Sequence, residues 1–217
     1  MMLFSEKTQL NRIIPKAKFM KLAGLSTAIR KEFQNNVDRL ILANILRKDT
    51  VNINPGKNVN EIDIFEFLLK EKTVSDNLIR EIDSAIPKYI LFVFKYKDEI
   101  QIAISYKEKL ASVDRFKVLK IYRSEWQKEE SVLLGLNGLD LDTVFNGFIS
   151  QISNGKIEIN ENTEIKQAVE KSVEIERLEH RIEQLKSKIR KEVQFNKQIE
   201  LKNELKTLKY ELGNLID

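Results

Sequence analysis

The stretch KYILFVFKYKDEIQIAISYK, residues 88–107, constrains the fold more than any other. Its first half, YILFVFKY, is apolar at odd and even positions alike, so both faces of a strand built from it need cover. Such a strand belongs in the middle of a sheet. The second half alternates. Ile100, Ile102, Ile104 and Tyr106 fall on one side, and Glu99, Gln101, Ala103, Ser105 and Lys107 on the other. With a tight turn at Lys97-Asp98, the two halves read as an antiparallel hairpin.

The neighbouring segments supply partners for that hairpin. NEIDIFEFLLK (60–70) and FKVLKIYRSEW (116–126) read as strands, and TVNINPG (50–56) as a short strand closed by a Pro-Gly turn. VSDNLIREIDSAIP (74–87) places Leu78, Ile79, Ile82 and Ile86 on one helical face, with Ser75 as its cap and Pro87 as its limit. STAIRKEFQNNVDRLILANIL (26–46) has Ile29, Phe33, Val37, Leu40, Ile41, Asn44 and Ile45 at steps of three and four, which predicts one amphipathic helix. Before it, NRIIPKAKFMKLAG reads as a short helix or an extended arm, broken at Pro15 and closed by Gly24. In residues 134–155 a Gly/Asn loop leads into a helix capped by Asp140 or Asp142 and closed by Gly155. Together these predict an α+β domain over residues 1–157, an antiparallel sheet with flanking helices. A polar connector, KIEINENTE, follows at 156–164.

Residues 158–217 form a second region of different character. From residue 165 there is no proline and only one glycine, Gly213. Ile175, Leu178, Ile182, Leu185 and Ile189 make one heptad seam, and Leu201, Leu205, Leu208, Leu212 and Leu215 make another. The 12 positions from Ile189 to Leu201 do not fit the heptad. One reading is a continuous helix, or coiled coil, with a stutter through Val193 and Lys197. The other is a helical hairpin turning near Gln194-Phe195-Asn196, and the balance tips slightly toward the hairpin.

Composition narrows the chemistry. The 217 residues include no cysteine and a single histidine, His180, which excludes disulfides, thiolate chemistry and histidine-rich metal sites. No cofactor loop of the GxxxxGK[ST] type occurs. No apolar run is long enough to span a membrane and no signal-peptide order opens the chain, so a cytoplasmic protein is expected. The net charge of +4 is unevenly placed. Residues 1–60 carry 11 Lys/Arg against 4 Asp/Glu, residues 61–160 carry 14 against 17, and residues 161–217 carry 12 against 12. The excess in the first quarter, chiefly Lys7, Arg12, Lys16, Lys18, Lys21, Arg30 and Lys31, suits nucleic-acid phosphates or an acidic partner, or is simply a solvated face.

The best catalytic constellation is that of a metal-dependent nuclease, with Asp63 or Glu66, together with Glu99, as carboxylates and Lys107 as the charge-stabilising lysine. Spacing speaks against it. Asp63 and Glu66 face opposite ways in a strand, and Gln101 and Ser105 stand where a second acid is wanted. His180 reads as an exposed helix residue, Trp126 as a packing residue, and Phe92, Phe94, Tyr96 and Tyr106 as core rather than a stacking platform for bases.

The succession LNRIIPKAKF, EIDIFEFLL, IDSAIPKYILFVF, EIQIAISYK, IYRSEW, LGLNGLDLDTVF and EVQFNKQIELKNELKTLKYEL resembles a prokaryotic family of unknown function, DUF4391, over nearly the whole chain. The resemblance implies company with helicases and site-specific DNA methyltransferases in restriction-modification or antiphage defence systems. It implies no catalytic residues. The resulting expectation is a non-catalytic accessory subunit, needing no cofactor or metal. It docks on a helicase or methyltransferase, or on itself, through core and tail, and reaches nucleic acid through its basic start. The alternatives are a metal-dependent nuclease using Asp63, Glu99 and Lys107, or a stand-alone, non-specific DNA-binding protein.

Overall fold

The computed structural model describes residues 4–153 and 165–216. The chain divides into two compact units, Met1–Lys156 and Ile157–Asp217.

The elements of the first unit, in order, are β1 (Gln9–Ile14), α1 (Lys16–Leu22), α2 (Thr27–Asn36), β2 (Val37–Leu46), the single turn α3 (Lys48–Val51), β3 (Ile62–Leu69), α4 (Asp76–Ala85), β4 (Tyr89–Tyr96), β5 (Glu99–Lys109), β6 (Phe116–Arg123), β7 (Gln127–Lys128) and α5 (Leu141–Ile152). The strands form one sheet in the order β1-β2-β3-β4-β5-β6, with β7 added to β5. The fold is α+β as expected. All neighbouring pairs are antiparallel except β3 and β4, which run parallel because α4 carries the chain back between them.

Both faces of the central strands are covered. Phe65 of β3 pairs with Phe92 of β4, and Phe67 with Phe94, so four rings share one face. There they meet Phe19 of α1, Phe33 of α2, and Leu78, Ile79 and Ile82 of α4. Ile62, Ile64, Leu91, Val93, Ile102 and Ile104 point the other way and are equally buried. On that side α5 packs on β5 and β6. Phe92 and Phe94 are sealed in the core, so neither offers a face to a base, and half-buried Trp126 packs against the same core.

Two expected elements differ. Residues 26–46 are not one helix: α2 ends at Asn36 and β2 begins at Val37. Val37, Leu40, Ala43 and Leu46 of β2 are buried at steps of three, with Asn44 beside them, because bulges at Val37/Arg39 and Leu42/Asn44 break the two-residue alternation. A bulged strand thus imitates the periodicity of a helix. Residues 50–56 are not a strand. They leave α3 through Asn52, whose φ is 56°, and their β pairing is limited to one isolated bridge, from Asn54 to Asp140. The segment around Pro15 holds both of its readings in turn, an extended arm as β1 and then a helix as α1, ended by Gly24 at φ 56°.

Other expectations match the structure. The hairpin turns at Lys97, which has φ 55°, and Asp98. The Ser75 hydroxyl accepts from the Leu78 amide to cap α4, and the Asp140 carboxylate accepts from the Thr143 amide to cap α5. Gly155 and the connector 156–164 lie outside the described residues.

The second unit is a helical hairpin of α6 (Ile165–Lys191) and α7 (Phe195–Ile216). Leu178, Ile182, Leu185 and Leu208 are buried between the helices, joined by Ile189, Leu201, Leu205, Leu212 and Leu215. Ile175 is half-buried outside that cluster. Arg181 pairs with Glu204 across the hairpin at 2.7 Å. The turn is Glu192-Val193-Gln194, a little before the expected place, and Phe195 already opens α7. The Gln198 side chain donates to the Glu192 carbonyl at 2.9 Å and fixes this turn.

Candidate functional site

Lys107 lies near the end of β5, at a bulge between Tyr106 and Lys107 in the pairing with β6. Its side chain is 0% exposed. The ammonium donates to the Asp83 carboxylate and, at 2.6 Å, to the Lys88 carbonyl. Two rings complete the enclosure, with the ammonium 4.4 Å from the centre of Phe116 and 5.3 Å from that of Tyr89.

Asp83 comes from α4. It lies on the same helical face as Ile79, Ile82 and Ile86, and so is carried into the core with them. Asp63 enters from β3 and Ser105 from β5, both buried. One oxygen of Asp63 and one of Asp83 have no hydrogen-bond partner. Ser105 is near enough to Asp83 to favour its charged form, without a well-formed hydrogen bond between them. The Glu61–Lys88 ion pair sits on the outer side of this cluster, with both side chains partly exposed.

Burial sets the electrostatics. It pushes the Asp83 carboxyl up, against the pull of Lys107 and Ser105. It pushes the Lys107 ammonium down, against Asp83 and then Asp63. Asp63 is raised to about 6, first by burial and then by Glu61, with Lys88 and Lys107 opposing. The Tyr89 hydroxyl is raised to about 12, chiefly by burial. Lys88 is raised by its hydrogen bond to Glu61.

The expected trio of Asp63, Glu99 and Lys107 is therefore only partly assembled. Asp63 and Lys107 share one cluster. Glu99 is eight residues from Lys107 along β5, roughly 27 Å at the rise of an extended strand, and pairs with Lys72. Glu66 faces away from Asp63 and pairs with Lys95 at 3.1 Å. The acid that meets Lys107 is Asp83, which the sequence reading passed over. Its signal was an aspartate on the apolar stripe of an amphipathic helix. Among the described residues, no group of three His, Cys, Asp or Glu side chains is placed to hold a metal.

The basic residues of the first quarter are distributed over several elements. Lys7 is on a short turn before β1, Arg12 on β1, Lys18 and Lys21 on α1, and Arg30 and Lys31 on α2; all are exposed. Lys16 is half-buried and donates to the Val37 carbonyl at 2.7 Å. His180 is exposed on α6 beside Gln184. Among the described residues, no helix is long and apolar enough to cross a membrane.

A second polar contact also escaped the sequence reading. The Asp142 carboxylate accepts from the amides of Lys57 at 3.0 Å, Asn58 at 3.1 Å and Val59 at 2.6 Å. This fastens the loop after α3 to the first turn of α5. Gly56 makes the approach possible, since a Cβ there would lie 2.2 Å from an Asp142 oxygen.

No curated protein and no solved structure matches the chain. The family described as Domain of unknown function (DUF4391) matches residues 4–212, and with nearly its whole length inside that match the chain belongs to this family.

Proposed function

We propose that this chain is a non-catalytic accessory subunit that works by holding a protein partner, a helicase or DNA methyltransferase of a restriction-modification or antiphage defence system. The observation that carries this reading is the enclosure of Lys107. The lysine best placed for catalysis is 0% exposed and already bonded to Asp83 and a backbone carbonyl. A charge-stabilising lysine has to reach its substrate. The α+β core and the helical tail are the docking surfaces in this account, and the exposed cations of the first quarter add a contact to nucleic acid or to an acidic surface.

A metal-dependent nuclease is the second reading, and one observation favours it. Asp63 and Asp83 each hold a buried oxygen without a partner close to Lys107, the residue types such chemistry uses. That reading requires the cluster to open. Incubating the purified full chain with plasmid DNA and Mg²⁺ or Mn²⁺ decides between the two. Intact DNA is expected; metal-dependent cleavage that Asp63→Asn abolishes overturns the non-catalytic reading.

A further inference from the structure

The turn of the helical hairpin carries an exposed apolar cluster. Val193 is 94% exposed, Phe195 74% and Ile199 43%, whereas the leucines and isoleucines of the two heptad rows, Ile175 apart, meet along a seam between the helices; Val173, Tyr210 and Ile216 are exposed singly elsewhere on the hairpin. An exposed phenylalanine in the first turn of a helix contributes nothing to that seam. Beside it lies an open groove lined by Lys188, Lys191, Glu192, Lys197, Glu200 and Leu201.

Charge is segregated toward the same end. Residues 186–202 carry six Lys/Arg against two Asp/Glu, a net +4, whereas residues 165–185 carry four against five and residues 203–217 two against three. The hairpin is thus basic at its tip and slightly acidic along its length.

We propose that this tip is a docking knob for an acidic protein segment bearing an aromatic or aliphatic anchor. Phe195 and Val193 seat against the partner's apolar side chain while Lys188, Lys191 and Lys197 meet its carboxylates. Three features of the tip select this occupant. Its charge calls for an anionic partner. The two glutamates in the groove disfavour a uniformly anionic phosphate backbone or lipid surface, yet suit a peptide that supplies its own amide donors. A second copy docked tip to tip would set +4 against +4. The small area involved makes the contact a transient one. This inference deepens the accessory-subunit reading and rests on it.

The test is selection of a displayed library of random linear peptides on the full chain, with counter-selection on its Phe195→Asp variant. A short DNA duplex and phosphatidylglycerol vesicles serve as alternative ligands. The expected result is enrichment of acidic peptides with an aromatic or aliphatic residue. Phe195→Asp should weaken their binding about tenfold or more, Lys191→Glu/Lys197→Glu should weaken it likewise, and added salt should lower it further. Absence of any Phe195-dependent peptide, or Phe195-dependent binding to the duplex or the vesicles instead, overturns the proposal. Val193→Asp, at a nearly fully exposed position, provides a second variant that leaves the seam intact. A partner that still co-purifies with the Phe195→Asp chain removes the tip from the account and leaves the accessory role standing. Absence of any partner on the unaltered chain removes the role itself.

Discussion

Lys107 and Asp83 form an ion pair shielded from water, with side-chain exposures of 0% and 1%. It joins the end of β5 to the buried face of α4. A pair so placed has given up hydration on both sides, and their mutual attraction, the Lys88 carbonyl and the rings of Phe116 and Tyr89 offset the loss.

Breaking one side of the pair is therefore expected to cost far more than removing both. Lys107→Met leaves the Asp83 carboxylate buried without its cation and should destabilise the fold by about 3–5 kcal/mol. The double variant Lys107→Met/Asp83→Leu should recover most of that loss. Urea unfolding of the parent, both single variants and the double variant measures the coupling.

Asp63 is expected to make stability depend on pH in the direction opposite to an ordinary ion-paired carboxylate. Its carboxyl is raised from 3.8 to about 6, so the folded state holds the proton more tightly than the unfolded chain. Below pH 3.8 both states are protonated and the group is neutral in its effect. The penalty grows from there to pH 6 and is complete above it, reaching ~3 kcal/mol at most. Asp63→Asn should therefore raise the melting temperature at pH 7.5, and the gain should vanish toward pH 4. Thermal melts of both chains across that range check it.

Gly56→Ala is expected to loosen the loop that Asp142 holds. The added Cβ would sit 2.2 Å from the carboxylate and 2.7 Å from the Asp142 backbone nitrogen, so loop and helix must separate. A loss of about 1–3 kcal/mol follows from the freed amides. Asp142→Ala should cost a similar amount. Combining the two should add little, because both remove the same contact.

The antiparallel tail gives a distance test that the chain's lack of cysteine makes simple. Spin labels on Arg177→Cys and Lys209→Cys flank the Arg181–Glu204 contact and should lie within about 25 Å of each other. A continuous helix would put these positions roughly 48 Å apart at 1.5 Å per residue. Pulsed electron-spin distance measurement separates the two.

Local pattern carried the reading of the fold as far as local pattern can reach. The β4–β5 hairpin, α4 with its Ser75 cap, and the two heptad seams were legible because each lies within one continuous segment. β2 was not, since its two bulges spread the buried residues at helical intervals. Neither was the parallel pairing of β3 with β4, a choice of strand direction made across the whole sheet. Asp63 and Lys107 were legible as chemically interesting residues. Their convergence with Asp83 depends on how far α4 slides along the sheet, and Lys107 and Asp83 are 24 residues apart. Glu99 looked equivalent because it shares a strand and a face pattern with Lys107, while strand length keeps the two apart.

The mass of the native particle tests the central claim most directly. The chain, tagged and purified gently from its own cells, should run in native mass spectrometry as part of a larger assembly, at a fixed ratio to a second, different protein. A particle of 25.4 kDa, the mass of the chain alone, across the working concentration range would contradict the account.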